Sequence, residues 1–318
     1  YGIIGGMGLG IGYISPVSTL VKWFPDKRGL ATGLAIMGFG FASLIAGPLI
    51  VRLIDAVGIA GTFWILGSSY FVIMLLSASY LALPPDGWMP PHFQQQLDAG
   101  TKKVRQDLEQ LSANEALHKP RLLYLCLILF INITCGIAVI SVAAPMAEEI
   151  AGLSKIAAAS MVGFMGLFNG LGRIGWASLS DRIGRPLTYT IFFVIEITAF
   201  FLLPKAANPL MFQGLIFLIM TCYGGGFASI PAYIGDLFGT KQLAAIHGFV
   251  LTAWAAAGYV GPTIVAWIKD SNHNYDLPLY IFAGMFVLAL IVSLLTRMEI
   301  SRIQKKQALQ QAVQTATA

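Results

Sequence analysis

Long apolar runs constrain this chain more than any other feature. Nine of them approach or exceed the roughly 20 residues that a helix needs to cross a hydrocarbon core, at 1–23, 29–54, 61–83, 122–146, 156–179, 187–204, 209–235, 243–268 and 278–297. A backbone in lipid finds no water to bond and must satisfy itself, so such runs become helices. The fold class that follows is an all-α membrane protein. Charged residues are only 11% of the 318, against 57% hydrophobic, whereas soluble domains carry roughly a quarter. That excludes an ordinary soluble enzyme, a disordered chain and a nucleic-acid-binding protein. The 34 glycines and 15 prolines suit tightly packed and broken membrane helices. Cys126, Cys135 and Cys222 fall inside apolar runs without CxxC or His-paired spacing, which predicts buried free thiols and no metal site.

The loops between runs are short, with one exception. Residues 84–121 open with the proline-rich PPDGWMPP (84–91) and continue into KKVRQDLEQLSANEALHK (102–119), a surface helix or a flexible linker. They part three spans from six. The expected divisions are therefore 1–83, a three-helix bundle remnant; 84–121, a linker; 122–297, a six-helix bundle; and 298–318, a tail. Lysine and arginine set the orientation. One alternate set of loops holds 16 of them, among them Lys22, Lys27, Arg28, Lys241 and four in the tail from Arg297. The other holds 4, at Arg52, Lys155, Lys205 and Lys269. Linker and C-terminus are thus expected in the cytoplasm.

The chain also repeats itself. At an offset of 214 residues, GIGYISPVSTLVKWFPDKRGLA (10–31) lies without a gap on GGGFASIPAYIGDLFGTKQLAA (224–245). Gly10, Gly12, Ser15, Phe24, Lys27 and Ala31 match Gly224, Gly226, Ser229, Phe238, Lys241 and Ala245, and Gly47-Pro48 matches Gly261-Pro262. Chance likeness of two glycine-rich helices is the alternative to duplication; the shared loop and Gly-Pro pair argue for duplication. Secondary transporters are commonly built from repeats, with a site at the midplane between them. Residue 1 is a tyrosine opening straight into an apolar run, so the chain is expected to start inside a membrane helix, with no signal peptide. If span seven is the fourth helix of a six-helix half, so is span one. Three helices are then expected ahead of it, and this stretch alone is expected neither to fold stably nor to transport.

GRIGWASLSDRIGR (172–185) resembles the signature loop of the major facilitator superfamily between helices eight and nine of twelve. Within it, GYISPVSTLVKWFPDKRGLATG (12–33), LTAWAAAGYVGP (251–262) and LPPDGWMP (83–90) are similar to the oxalate/formate antiporter family. The resemblance spans the chain. It implies two helical bundles, nine of twelve transmembrane helices present here, rocking about a central site for a small organic anion.

Arg173, in NGLGR (169–173), is the sharpest candidate. A guanidinium in a membrane span is costly and is usually paired or turned to a polar cavity. Its fork fits a carboxylate; a snorkelling arginine is the competing reading. The resemblance implies that Arg173 stands where the family's oxalate transporter has a substrate-binding arginine, and that Trp254 stands where it has a substrate-binding lysine. One cation suits a monoanion better than a dianion, which favours formate, lactate or pyruvate over oxalate. Trp254 offers an indole N–H, Tyr13, Tyr223 and Phe227 an aromatic wall, and Asn169 a partner for Arg173; plain packing is the competing reading for the aromatics.

Asp181, Arg182, Arg185, Lys27 and Arg28 are expected to gate the cytoplasmic side through contacts that break on opening, against a reading as topology charge alone. Glu196, mid-span in FFVIEITAFF, is a weak candidate for proton coupling, with a structural hydrogen bond as the competing reading. His247 is read as structural. Gly6/Gly10, Gly8/Gly12 and Gly166/Gly170 have helix-packing spacing. The expected protein is a secondary transporter of small carboxylates in a bacterial inner membrane, working by exchange or proton coupling. It is no enzyme, needs no cofactor, touches lipid and a small carboxylate, and is a monomer. A transport-dead sensor of the same fold is the alternative.

Overall fold

The structure is a computed structural model that describes residues 2–101 and 107–317, so positions 102–106 of the polar linker stretch lie outside the described residues. Its long elements are α1 (Ile3–Trp23), α2 (Arg28–Tyr80), α5 (Pro120–Ala151), α6 (Lys155–Ile183), α7 (Arg185–Leu202), α8 (Pro209–Phe238), α9 (Leu243–Asn272) and α10 (Asp276–Thr317). Two short helices, α3 (Pro91–Asp98) and α4 (Ala113–Leu117), sit in the linker. Among the described residues, seven helices are long and apolar enough to cross a membrane.

The nine sequence runs become seven for two local reasons. Runs two and three form α2, which is broken at a single residue, Gly58, at φ 72° and ψ 177°. A side chain rarely adopts that conformation, which glycine reaches freely. The fifth run, α6, falls short because Asn169 and Arg173 interrupt its apolar stretch. At the other end, α10 continues as one helix through the segment expected as a separate tail.

The main core lies among α5 to α10. Phe192, Phe193 and Phe200 of α7 are buried against the rest of it, with Phe200 edge-on to Phe282 of α10 at 5.8 Å. A second, smaller cluster is shared between α1, α2 and this body. It consists of Tyr13, Val17 and Ile36 with Ala177 of α6 and Ala228 of α8.

The sequence repeat recurs in the elements. An offset of 214 places Trp23, the end of α1, one residue before Phe238, the end of α8, and Arg28, the start of α2, one residue before Leu243, the start of α9. Pro48 and Pro262 are each inside a helix.

The linker is built onto the body. The Trp23 indole donates to the Ala82 carbonyl at 2.7 Å, and the Trp88 indole donates to the Trp23 carbonyl at 3.1 Å. Further on, the Leu108 and Leu111 amides donate to the carbonyls of Asp236 and Phe238 at 2.8 and 2.9 Å, extending the end of α8. The Gln307 amide of α10 donates to the Leu108 carbonyl at 2.8 Å. Ser112 and Glu115 cap α4 reciprocally, and these bonds hold the Glu115 carboxyl below its ordinary range.

Candidate functional site

A cavity of about 610 Å³ lies between α1 and α2 on one side and α6, α8 and α9 on the other. Its wall includes Tyr13, Asn169, Arg173, Tyr223, Phe227 and Trp254, the six residues read from sequence as substrate-binding. Helix geometry brings them together. Asn169 and Arg173 are four apart on α6, and Tyr223 and Phe227 four apart on α8, so each pair shares one face.

Arg173 is 5% exposed. Its Nε donates to Asn169 Oδ1 at 3.1 Å and its Nη1 to the Ile36 carbonyl of α2 at 3.3 Å. The guanidinium lies over the rings of Phe39 and Phe227, at 5.8 and 5.2 Å from their centroids. Each such contact contributes on the order of 0.5–2 kcal/mol. No carboxylate pairs with Arg173 among the described residues. The charge is therefore held in place by neutral groups on a cavity wall, an arrangement that suits an anion.

The aromatic wall is equally specific. Tyr13 stacks on Phe227, its mate in the repeat, at 5.8 Å, and meets Phe39 edge-on at 5.7 Å. The Tyr13 hydroxyl is buried with no hydrogen-bond partner among the described residues. Tyr223 fits because Gly136 of α5 leaves room for its ring, which a Cβ would strike. Trp254 sits behind Phe227 at 6.4 Å. Phe39 and Thr252 also line the cavity, and the sequence reading missed both. Phe39 is one apolar residue in an apolar run, with no signal to mark it. Gly6 and Gly10 line the cavity too, with nothing among the described residues within 4 Å of a Cβ placed on either, which differs from the packing role expected for them. Gly8 is likewise uncrowded, and Gly12 meets only Met74, at 3.7 Å. Close packing occurs instead where Gly40 of α2 meets Gly170 and the Gly166 carbonyl of α6.

Glu196 is buried in α7 and is absent from the cavity wall. It lies near Cys135 of α5 and Cys222 of α8.

A charged network closes the end of the molecule where α1 turns into α2, α6 into α7 and α8 into α9. Asp181 accepts from the backbone amides of Gly29 and Leu30, both at 2.9 Å, so α6 caps the start of α2. Arg185 binds Asp181 and Ser180, and reaches Asp236 of α8 at 3.3 Å. Arg28 spans from Asp107 of the linker, at 2.6 Å, to Asp236, at 3.1 Å. Thr32 donates to the Ala228 carbonyl of α8 at 2.9 Å. Of the five gating candidates, Asp181, Arg185 and Arg28 are in this network. Arg182 and Lys27 are exposed, without a side-chain partner among the described residues. Asp107 and Asp236 were not singled out from sequence; acids in a charged linker and beside a loop carry no distinguishing pattern.

Glycines let α2 and α6 touch at this end. A Cβ on Gly29 would strike the Ala177 carbonyl, and one on Gly33 would sit 2.6 Å from the Arg173 carbonyl. Eight residues of α6 separate Arg173 from Asp181, about 12 Å at 1.5 Å per residue. The cavity and the closed end are thus two levels of one helix contact.

The chain was compared with known proteins. The sequence model of the Major Facilitator Superfamily matches residues 1–220 and 126–316. The chain is 27% identical over 270 residues to the oxalate:formate antiporter of Oxalobacter formigenes, covering 84% of this chain and 62% of that protein. It is 25% identical over 322 residues to monocarboxylate transporter 12 of Xenopus laevis, covering 96% and 69%. Among solved structures, FucP in the outward conformation superposes with a TM-score of 0.66 at 15% identity, covering 89% of this chain and 71% of that one. Repeat, cavity, membrane-length helices and family match agree: the chain belongs to the Major Facilitator Superfamily.

Proposed function

We propose that this chain is part of a secondary transporter of small organic anions, working by alternating access. Monocarboxylates such as formate, lactate or pyruvate are the preferred substrates, with oxalate a further candidate, and movement is by exchange or with a proton. The observation that carries this reading is Arg173, a buried guanidinium on a cavity wall with no carboxylate partner among the described residues. The names of two relatives, an oxalate:formate antiporter and a monocarboxylate transporter, support the substrate class. In this reading Arg173 takes the carboxylate, Asn169 orients the guanidinium, and Tyr13, Tyr223, Phe227 and Trp254 shape the rest of the substrate's volume.

Asp181, Arg185 and Arg28 hold the loop end shut while the cavity faces the other way, and Arg182 and Lys27 flank them. The helices of 1–83 and of 122–297 are the parts that rock, joined by 84–121. The excess of lysine and arginine at the loop end supports its assignment to the cytoplasm, in a bacterial inner membrane, with the C-terminus on the same side.

The test is counterflow in proteoliposomes carrying the full-length protein. Labelled formate, lactate, pyruvate and oxalate are followed with and without a pH gradient, beside Arg173→Gln. Monocarboxylate flux that is lost in the variant is the expected result. Oxalate flux well above the monocarboxylates would require a second cation at the site and overturn the one-cation reading. Binding without flux would favour a sensor.

A further inference from the structure

The neighbours of Arg173 divide evenly between the two sets of helices. From the body come Asn169, on its own helix α6, which accepts from Nε at 3.1 Å, and the Phe227 ring of α8, 5.2 Å from the guanidinium. From α2 come the Ile36 carbonyl, which accepts from Nη1 at 3.3 Å, and the Phe39 ring, 5.8 Å away. A guanidinium has five N–H donors. Two are committed here, which leaves three for a ligand. Arg173 lines the cavity, and its Nη2 is neither bonded nor sealed in among the described residues.

The α2 contacts exist because the two helices touch backbone to backbone. Gly33 and Gly40, three before and four after Ile36, share its face of α2. A Cβ on Gly33 would stand 2.6 Å from the Arg173 carbonyl, and one on Gly40 2.5 Å from Gly170. Ile36 is fully buried at this contact. Phe39 is 51% exposed and lines the cavity, with Tyr13 of α1 edge-on to its ring at 5.7 Å.

Such contacts do not outlast the seam. When α2 moves off α6, Asn169 and Phe227 travel with Arg173, while the Ile36 carbonyl and the Phe39 ring stay on the other side. The guanidinium then keeps its charge but loses one of the two bonds that fix its plane and one of the two rings that pack on it. We propose that α2, through Phe39 and the Ile36 carbonyl, positions the Arg173 fork, so that the anion site is complete only while the α2–α6 seam is closed. This rests on the reading of the cavity as a carboxylate site. Phe39 is a positioning residue, acting through Arg173. The anion binds more tightly with the loop end shut than with it open, and by linkage a bound anion favours the shut loop end. The separation that opens the path to the loop side also loosens the hold on the anion.

The test uses the full-length protein in membrane vesicles that expose the loop end, with Cys126, Cys135 and Cys222 replaced by alanine and Val17→Cys as reporter. Pyruvate, equal on both faces, is the probe. Val17 is buried in the small cluster and is not on the cavity wall, so bound pyruvate does not shield it. The quantities read are the factor by which saturating pyruvate slows labelling by an impermeant maleimide, and the pyruvate concentration that gives half of that effect. Slowing of about threefold or more is expected. In Phe39→Leu the slowing is expected to fall towards none and the half-effect concentration to rise about threefold or more. Phe39→Tyr keeps the ring and is expected to keep both values. A ring that served folding alone would change labelling without pyruvate but not the factor that pyruvate adds. Should Phe39→Leu fail to fold, Phe39→Met, which keeps the volume without a ring, is read in the same way. Equal slowing in the ringless variant overturns the inference, as does labelling that pyruvate leaves unchanged or quickens in the reporter protein while its counterflow persists. Absence of any carboxylate counterflow in the unaltered protein overturns the proposed function itself.

Discussion

A guanidinium held only by neutral groups keeps its charge for a ligand, and its shape decides how that charge is used. Nε of Arg173 is committed to Asn169 and Nη1 to the Ile36 carbonyl, which fixes the plane of the fork. Lysine would keep the charge but lose both the plane and the paired donors. Arg173→Lys is therefore expected to weaken carboxylate binding rather than abolish it, by the loss of one charge-assisted hydrogen bond of about 1.5–3 kcal/mol, or roughly ten- to a hundredfold in Kd. Competition binding against labelled pyruvate would measure it, and an unchanged Kd would show that the fork is not used. Asn169→Ala is expected to act in the same direction and more weakly, because it frees the guanidinium without removing it. At this scale much was legible. Arg173 and Asn169 stand out as polar residues within an apolar run, whereas Trp254 was singled out by the family resemblance and Tyr13, Tyr223 and Phe227 by repeat, spacing and resemblance together. Phe39 was not legible, since a ring that packs on a guanidinium and a ring that faces lipid have the same letter. His247 was visible as a residue but not as one buried without a hydrogen-bond partner among the described residues, because partnership is a property of the packed state.

Between elements, the contact of α2 with α6 is made by what is missing from it. Gly33 and Gly40 have the facing backbone within 2.6 and 2.5 Å of where a Cβ would stand. Gly33→Val should therefore force the helices apart at the level that joins the cavity to the closed end. Overpacking of this kind costs roughly 1–3 kcal/mol, read as a lower thermal unfolding midpoint in detergent. Asp181→Asn tests the cap that α6 places on α2. It weakens the acceptor for the Gly29 and Leu30 amides and removes one of the two ionic partners of Arg185, leaving Asp236. A lost cap alone is worth about 1 kcal/mol. Faster labelling of Val17→Cys by a membrane-impermeant maleimide from the loop side, with Cys126, Cys135 and Cys222 replaced by alanine, is the expected outcome. Equal labelling rates would show that Asp181 is not part of the closure. The sequence displayed the loop motif and the repeat register. It did not display that Gly29 and Gly33, rather than Gly6 and Gly10, are the close-packed glycines here. Spacing identifies a small-residue face but not the helix that covers it.

For the molecule as a whole, several bonds join the elements at the loop end, and in the proposed alternating-access cycle they break together. Arg28 joins α2 to the linker and α8, Asp181 joins α6 to α2, and Thr32 joins α2 to α8. These bonds share elements, so their loss is expected to be non-additive. In an Arg28→Ala, Asp181→Asn double-mutant cycle read by the Val17→Cys labelling rate, the coupling should exceed about 0.5 kcal/mol; strict additivity would mean independent contacts. Arg28 and Asp236 are 208 residues apart in sequence, and nothing local in either segment announces the other. The repeat was the long-range signal available, and it brings Tyr13 and Phe227 face to face in the structure.

The segment 107–111 gives the connection between the two sets of helices a second property. It continues the hydrogen bonding of α8 beyond Phe238, is gripped by Gln307 of α10, and carries Asp107 to Arg28. A tether that merely limited separation would leave the timing of opening to the helices. This one is stitched into the seam, so opening must first unpick it. In the proposed cycle, a change of salt that loosens Asp107 from Arg28 would therefore act on opening without reaching the cavity.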